Sequence, residues 1–522
     1  MISALTIILI AFWVVIIIRS ILFWLYFIQL KNYRFDRLRL DFKKLAFYKL
    51  IFFPHRIILI LFLLSLFLFN LGSIFGSLFL IVLCAYFAIY ITHGVTQIMR
   101  GDLCLPKFTK KIILLFGGML GIEILIGVFY NFNFLMLLLI EIIQPLIVLG
   151  IFAIIFIPNV FLQSALINRA KKKICTHKNL IVIGVTGSYG KTSTKEFLAH
   201  ILSKKFNVLK TPAHINVDTG VAGVILEQLE PEHEIFIVEM GAYCKGEIRR
   251  ICSLVKPQYA ILTGLSDQHL ELFGSLKAIT EAKFEIIETI TDQNKIISNA
   301  DSKPLVIEFE RRKLKPVWYG LSARAYIKAH YVGFAEQGAL FKINNIQFQT
   351  ALVGRAALNN LLGAITMAHS LGMSIEEIAE AVGDLKFVPH TMEPRLLTNG
   401  ALIIDDTYNA NTEGVLTALE DLQYYNRAKK ILVFKEVIEL GEKTESDHIL
   451  IAKTIAKTTA CVVLLPSRVR QILYNALISE GYDSTRIIDP RDHIRLNNII
   501  NGDTVVLFEG RGGEDVIKTL EH

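Results

Sequence analysis

The chain has 522 residues, of which 53% are hydrophobic and only 20% charged. That composition excludes disordered and collagen-like classes, and at about 150 residues per domain the length allows about three domains. The net charge of +8 is uneven: residues 1–178 carry 18 Lys and Arg against 5 Asp and Glu, and the remainder carries 37 against 42. The basic character therefore belongs to the first third, which argues for a membrane-associated segment and against nucleic acid as a partner.

Apolar runs dominate residues 1–165. A helix needs about 20 mostly apolar residues to cross the hydrocarbon core. Five segments qualify, roughly 3–28, 52–70, 74–96, 112–131 and 134–158. The first continues too far past any small-residue cleavage site to be a signal peptide. Alternate loops are basic: Lys31–Lys49, Arg100–Lys111 and Arg169–Lys178 are rich in Lys and Arg, while the turns near Asn70 and Tyr130 carry no charge. The positive-inside rule then places the N-terminus outside and everything after residue 160 in the cytoplasm. The expectation is an integral protein of a bacterial inner membrane. Arg19 is expected to snorkel to the inner interface. Glu123 and Glu141 lie deeper, at similar depth on adjacent spans, which suits either a structural role in the bundle or contact with a lipid headgroup or partner. The six cysteines, Cys84, Cys104, Cys175, Cys244, Cys252 and Cys461, contain no CxxC pair, as in a reduced compartment.

From Asn179 the pattern changes to short β-branched runs alternating with helical stretches. Strands are expected at 180–186, 206–210, 234–240, 259–264 and 295–298, with helices over 191–204, 245–254 and 276–290. This is the βαβ pattern of a parallel sheet covered on both faces. A second series follows, with strands at 401–406, 431–434, 461–465, 486–488 and 504–508. Pro389 and the polar stretch His390–Arg395 make a hinge between them. The expected organisation is an α-helical membrane region over 1–178, an α/β phosphate-loop domain over 179–388 and a Rossmann-like α/β domain over 389–522.

The first α/β strand runs into Gly184-Val185-Thr186-Gly187-Ser188-Tyr189-Gly190-Lys191-Thr192-Ser193 and then a helix. Glycines let backbone amides turn toward phosphate oxygens, and a helix N-terminus adds positive potential. Gly187, Ser188, Gly190, Lys191, Thr192 and Ser193 are the nucleotide-contacting candidates. Lys191 would bridge the β- and γ-phosphates and Thr192 would reach Mg²⁺. Strict phosphate-loop spacing fails at its first position, where Val185 stands. Glu239 closes a strand and His269 follows another, so both fall beyond strand ends where open parallel sheets bind ligands. Both are Mg²⁺-ligand or water-holding candidates, the imidazole being the weaker for a hard cation.

The run Gly184–Ile286 resembles the central domain of the Mur ligases, ATP-dependent peptide ligases of bacterial cell-wall synthesis. The phosphate loop, Thr211-Pro212-Ala213-His214-Ile215-Asn216-Val217-Asp218, Val238–Gly241, His269–Ser275 and Glu281–Ile286 carry the likeness, and it is closest to the D-alanyl-D-alanine-adding branch. Asp405-Asp406-Thr407-Tyr408-Asn409-Ala410-Asn411 and Glu439–Glu442 extend it into the C-terminal domain. The resemblance implies ATP, Mg²⁺ in two ions, and a carbamylated Lys283 as an oxygen ligand, so that Lys191, Glu239, His269 and Lys283 are catalytic and Thr192, Glu239, His269 and Lys283 hold metal. It implies His214, Asn216, Asn409 and Asn411 at the substrate, and Asn360, Arg395 and Asp406 at the nucleotide. It implies a carboxylate-activating amide ligase working through an acyl phosphate, on a cell-wall precursor and an amino acid or dipeptide amine.

Five departures stand out, one of them Lys435-Glu436-Val437 where Gly-Asp-Met is expected before Glu439-Leu440-Gly441. The membrane spans occupy the place of the family's uridine-diphosphate domain, so the acceptor is either soluble or lipid-linked. Gly354–Asn360 keeps Asn360 but has alanines where His-Asn is usual. Thr391 stands where an arginine is usual, with Arg395 nearby. Glu509-Gly510-Arg511-Gly512 resembles Lys-Gly-Ser-Arg with a deletion and a reversed charge. Two other readings compete: a poly-γ-glutamate-synthase-like ligase, and a non-catalytic nucleotide-binding membrane scaffold.

Overall fold

The computed structural model describes residues 4–30, 92, 96, 105–131, 134–267 and 270–521. The expected span 52–70, the expected span 74–96 apart from Thr92 and Thr96, the basic loop Lys31–Lys49 and His269 lie outside the described residues. The chain divides into two compact units, Met1–Ser164 and Ala165–His522.

In the first unit the helix Ala4–Leu30 carries the first expected span, Lys110–Phe129 the fourth, and Phe134–Thr176 begins with the fifth. Among the described residues, Ile10–Gln29 and Lys110–Phe129 are long and apolar enough to cross a membrane. Trp13, Ile17, Ile21 and Trp24 pack with Ile112, Leu115 and Met119, while Leu114, Leu125 and Phe129 stay exposed. Thr109 caps the second helix by accepting from the Ile112 amide, which satisfies a terminal donor. The Gln29 side chain accepts from the Lys107 amide at 2.7 Å and donates to its carbonyl at 3.0 Å.

In the second unit, seven parallel strands lie in the order β2-β3-β1-β4-β5-β6-β7. They are β1 Ile181–Thr186, β2 Val208–Lys210, β3 Ile235–Glu239, β4 Tyr259–Leu262, β5 Ile296–Asn299, β6 Val317–Gly320 and β7 Ile327–Lys328. Alternate side chains enter opposite layers, as the pleat requires: Ile235 and Ile237 join one core, Phe236 and Val238 the other. Ala170 and Ile174 of the helix Phe134–Thr176 pack into the second of these layers. The chain moves to one side of β1 for β2 and β3, then to the other for β4, so the loop after β1 sits at the switch point.

An antiparallel sheet that the sequence pattern had not indicated follows: β8 His330–Ala335, β9 Gly338–Ile343 and β10 Ile346–Thr350. Asn344 and Asn345 have φ of +47° and +68°, and they form the two-residue turn whose twist matches the flanking strands. The last sheet has the order β11-β12-β16-β13-β14-β15, with β11 Glu393–Leu396 and β12 Leu402–Asp406 antiparallel and the rest parallel. Its other strands are β13 Lys429–Phe434, β14 Cys461–Leu464, β15 Ile487–Ile488 and β16 Thr504–Glu509. Part of the expected hinge is therefore an edge strand: Glu393 to Arg395 pair with Asp405 to Ile403.

Candidate active site

The loop between β1 and the helix Lys191–Leu202 is shaped by close approach. Gly190 has φ of +74°, and a Cβ there would overlap Asn360 Oδ1. A side chain at this position would carry a left-handed penalty and collide with a neighbouring helix. The Ser188 amide donates to the Gly264 carbonyl at 2.7 Å, tying the loop to the segment after β4. Lys191 Nζ donates to the Gly187 and Ser188 carbonyls at 2.9 and 3.2 Å, so its charge lies over the loop. Burial lowers its pKa, and Glu239 opposes that shift.

Glu239 ends β3 and is 2% exposed. Its Oε2 accepts from Thr192 Oγ1 at 3.0 Å and from Lys195 Nζ at 3.2 Å, and its Oε1 accepts from Asn216 Nδ2 at 3.2 Å. Its amide donates to Thr211 Oγ1 at 3.0 Å. Thr192 and Glu239 thus present oxygen atoms to one point beside the loop, the donor type that suits a hard divalent cation. Lys283 ends the helix Leu276–Phe284 and is 2% exposed. Burial and the neighbouring Lys191 lower its pKa to about 7, against the opposing pull of Glu247, Glu239 and Glu285. Both nearby acids are held by backbone amides: Glu247 accepts from Tyr243 at 2.6 Å, and Glu285 from Gly246 at 2.6 Å and Arg249 at 2.9 Å. An amine with pKa about 7 is substantially neutral at physiological pH, which carbamate formation requires.

The C-terminal sheet supplies the opposite wall. A cavity of about 330 Å³ is lined by Ser188, Gly190, Lys191, Thr192 and Ser193 of the loop and by His214, Asn216 and Glu239. Asp406, Tyr408, Asn409, Asn411 and Arg511 face them from the C-terminal domain. Asn360 and the apolar Val353, Ala356 and Phe387 line the same cavity. Tyr408 stacks on His214 with centroids 4.9 Å apart at 12°, its hydroxyl 3.2 Å from Nδ1. Asp406 is pushed up to about 7 by burial and by Asp405, and it bonds to the buried Glu509, whose own pKa rises well above the carboxylate range. The reversed charge at Glu509 thus leaves two acids side by side on paired positions of β12 and β16.

Some expected residues do other work. Asn411 lines the cavity, but its Oδ1 accepts from the Gly414 amide at 3.0 Å as the cap of the helix Thr412–Asp421. Arg395 is not among the lining residues: its Nη2 sits 2.9 Å from Asp405 Oδ2 and 3.1 Å from Glu393 Oε2. Thr391, not Arg395, reaches the cavity from the hinge. His390 Nδ1 lies 2.8 Å from the same Asp405 oxygen, so the compact His390, Glu393 and Asp405 cluster already has its cation in Arg395. Gly187, part of the loop, is absent from the lining; a Cβ there would overlap Thr263 Oγ1. Lys283 is not among the lining residues, although its charge interacts with Lys191 and Glu239, which are. The sequence pattern gives no role to Lys195, and it shows Tyr408 and Arg511 only as members of quoted motifs, without a role of their own. Lys195 shares a helix face with Lys191 at four residues' spacing, but only the fold puts Glu239 against it.

A phosphate loop at the switch point of a parallel sheet, walled by a second α/β domain, defines a two-domain nucleotide-site protein. Residues 185–368 match the Mur ligase middle domain and residues 392–512 the Mur ligase glutamate ligase domain, so the chain belongs to the Mur ligase family. It is 32% identical over 278 residues to the UDP-N-acetylmuramoyl-tripeptide–D-alanyl-D-alanine ligase of Escherichia coli, covering 52% of this chain and 61% of that protein. The Bacillus subtilis ligase of the same name is 29% identical over 360 residues, 65% of this chain and 75% of that one. The chain thus spans about three-fifths of the length of its Escherichia coli relative. MurF from Acinetobacter baumannii superposes with TM-score 0.62 at 26% identity, over 69% of this chain and 80% of that one. MurF from Thermotoga maritima, solved with ADP, gives 0.60 at 27% identity, over 69% and 83%.

Proposed function

We propose that this chain is a membrane-anchored, ATP-dependent amide ligase of peptidoglycan-precursor synthesis, adding D-alanyl-D-alanine or a similar amine to a muramyl peptide carboxylate. The observation that carries this reading is the 330 Å³ cavity in which Lys191, Thr192 and Glu239 face Asp406, Tyr408 and Asn409. A substrate carboxylate oxygen attacks the γ-phosphorus of ATP and ADP leaves. The amine nitrogen then attacks the acyl carbon, phosphate leaves with the acyl oxygen, and the amine gives up a proton. Two anions must meet in the first step, so charge neutralisation is the main requirement. Lys191 would swing from the Gly187 and Ser188 carbonyls onto the transferring phosphate. Thr192, Glu239 and a carbamylated Lys283 would hold Mg²⁺, which supplies positive charge to the phosphates. His214 and Asn216 would orient the acceptor, and Asn409 with Arg511 the incoming amine substrate. Asn360 and the apolar Val353, Ala356 and Phe387 would take the adenine.

The apolar helices Ala4–Leu30 and Lys110–Phe129 and the basic bias of residues 1–178 support anchoring in a bacterial inner membrane, with the ligase domains on the cytoplasmic side. The bilayer would then stand where a soluble ligase carries its uridine-diphosphate grip. The test is ADP release by the full chain in detergent, with Mg²⁺ and D-alanyl-D-alanine. A soluble UDP-muramyl tripeptide is compared with its lipid-linked counterpart. Turnover with either supports the ligase; turnover with the lipid form alone makes the spans part of the acceptor site. ATP binding with no acceptor-dependent ADP would sink it in favour of a scaffold.

A further inference from the structure

We propose that Lys195 is a positioning residue for Glu239: its buried ammonium fixes the carboxylate against the phosphate loop, so the metal ligand is oriented before any cation arrives. The proposal rests on the nucleotide reading of the site. It comes from a pairing that sequence spacing alone does not reveal.

Lys195 lies one helical turn after Lys191 and its side chain is 0% exposed. Lysine is almost never fully buried unless paired. Its Nζ lies 3.2 Å from Glu239 Oε2 and 3.3 Å from Glu196 Oε1, and it reaches the Pro212 carbonyl at 3.5 Å. The last contact ties the same ammonium to the loop that carries His214 and Asn216. Glu239 Oε2 is shared between Lys195 and Thr192, while Oε1 is held by Asn216. Three donors, two from the helix Lys191–Leu202 and one from the loop that carries Asn216, therefore define one carboxylate rotamer. Of these, Lys195 alone brings a full positive charge to a carboxylate that is itself 2% exposed. Lys191 does not replace it, because its Nζ is spent on loop carbonyls.

The physical consequence separates this role from simple packing. Removing the ammonium leaves a buried carboxylate uncompensated, and such a charge is strongly unfavourable. A divalent cation delivered with nucleotide then takes over the neutralisation. The variant should accordingly depend on metal for stability more than the wild type does. By linkage, its melting temperature should rise more on binding Mg²⁺·ADP.

The test is thermal unfolding of the full chain in detergent, for wild type, Lys195→Met and Lys195→Gln. Each is measured in EDTA, with ADP and EDTA, and with Mg²⁺·ADP. Lys195→Met is expected to melt lower in EDTA and to gain about twice the wild-type shift from Mg²⁺·ADP. Lys195→Gln keeps a donor without the charge and should fall between; it also serves if Lys195→Met cannot be purified. Equal Mg²⁺·ADP shifts in wild type and variants would overturn the positioning role and leave a merely structural lysine. A wild type that gains nothing from Mg²⁺·ADP would instead sink the nucleotide reading beneath it.

Discussion

At the scale of single residues the site depends on where two lysines put their charge. Lys191 lies over the loop carbonyls and is the only lysine on the cavity wall among the described residues. Lys191→Ala should cut acceptor-dependent ADP release by about 10³-fold, the upper end of what losing one oxyanion donor costs, because a full charge leaves the transferring phosphate. Single-turnover ADP release checks this. Lys283 is held near neutrality by burial and by Lys191, which a carbamate needs and a surface lysine lacks. Lys283→Ala should lose nearly all turnover and recover part of it with added formate or acetate; wild-type turnover without additives would end the carbamate assignment. The lysines differ in legibility. Lys191 is readable from the glycine spacing around it, whereas the environment of Lys283 depends on Glu247 and Glu239, which arrive from another helix and a strand, as well as on Glu285 at the end of its own helix.

At the scale of elements, the phosphate loop works because it is pressed between neighbours. Gly190→Ala meets a left-handed φ and the Asn360 side chain together. It should weaken ADP binding by at least about tenfold, since the left-handed cost alone is about 1–2 kcal/mol. Calorimetry with ADP measures it. A second element contact is electrostatic. Asp384 follows the helix Ile375–Gly383 and accepts from Lys204 at 2.6 Å and His200 at 2.9 Å on the phosphate-loop helix and its exit. Those bonds lower its pKa from 3.8 to about 2. A depressed carboxylate contributes stability above its unfolded pKa and loses it as pH falls through the folded one. Asp384→Asn should therefore melt slightly lower than wild type at pH 7, with the difference closing as pH falls from about 4 to 2. The surface position keeps the effect small. The parallel strands β1–β5 and β12–β16 could be read from β-branched runs, and their ends agree with the sequence pattern within about two residues, whereas β6, β7 and the edge strand β11 were not expected. The sheet β8–β10 could not be read either, because its strands alternate polar and apolar residues around an Asn-Asn turn without the neighbouring helices that marked the rest.

At the scale of the whole molecule, the charge asymmetry carries the proposed topology, in which the α/β domains lie inside and the N-terminus outside. A reporter fused after His522 should be active only in the cytoplasm, and one before Met1 only outside the membrane. The opposite pattern would overturn the topology. The sequence by itself determined the two α/β series, the phosphate loop, the apolar helices and the acids at strand ends. Each of these is a local pattern, set by side-chain period, turn chemistry or spacing within one stretch of chain. Only the tertiary structure decided which of those residues meet. It put Tyr408 on His214 and Lys195 on Glu239, and it turned Arg395 away to Asp405. It also set Glu509 beside Asp406. Such pairings join residues 10 to nearly 200 positions apart, and the order of strands in a sheet, which no local pattern encodes, is what brings most of them within reach of one another.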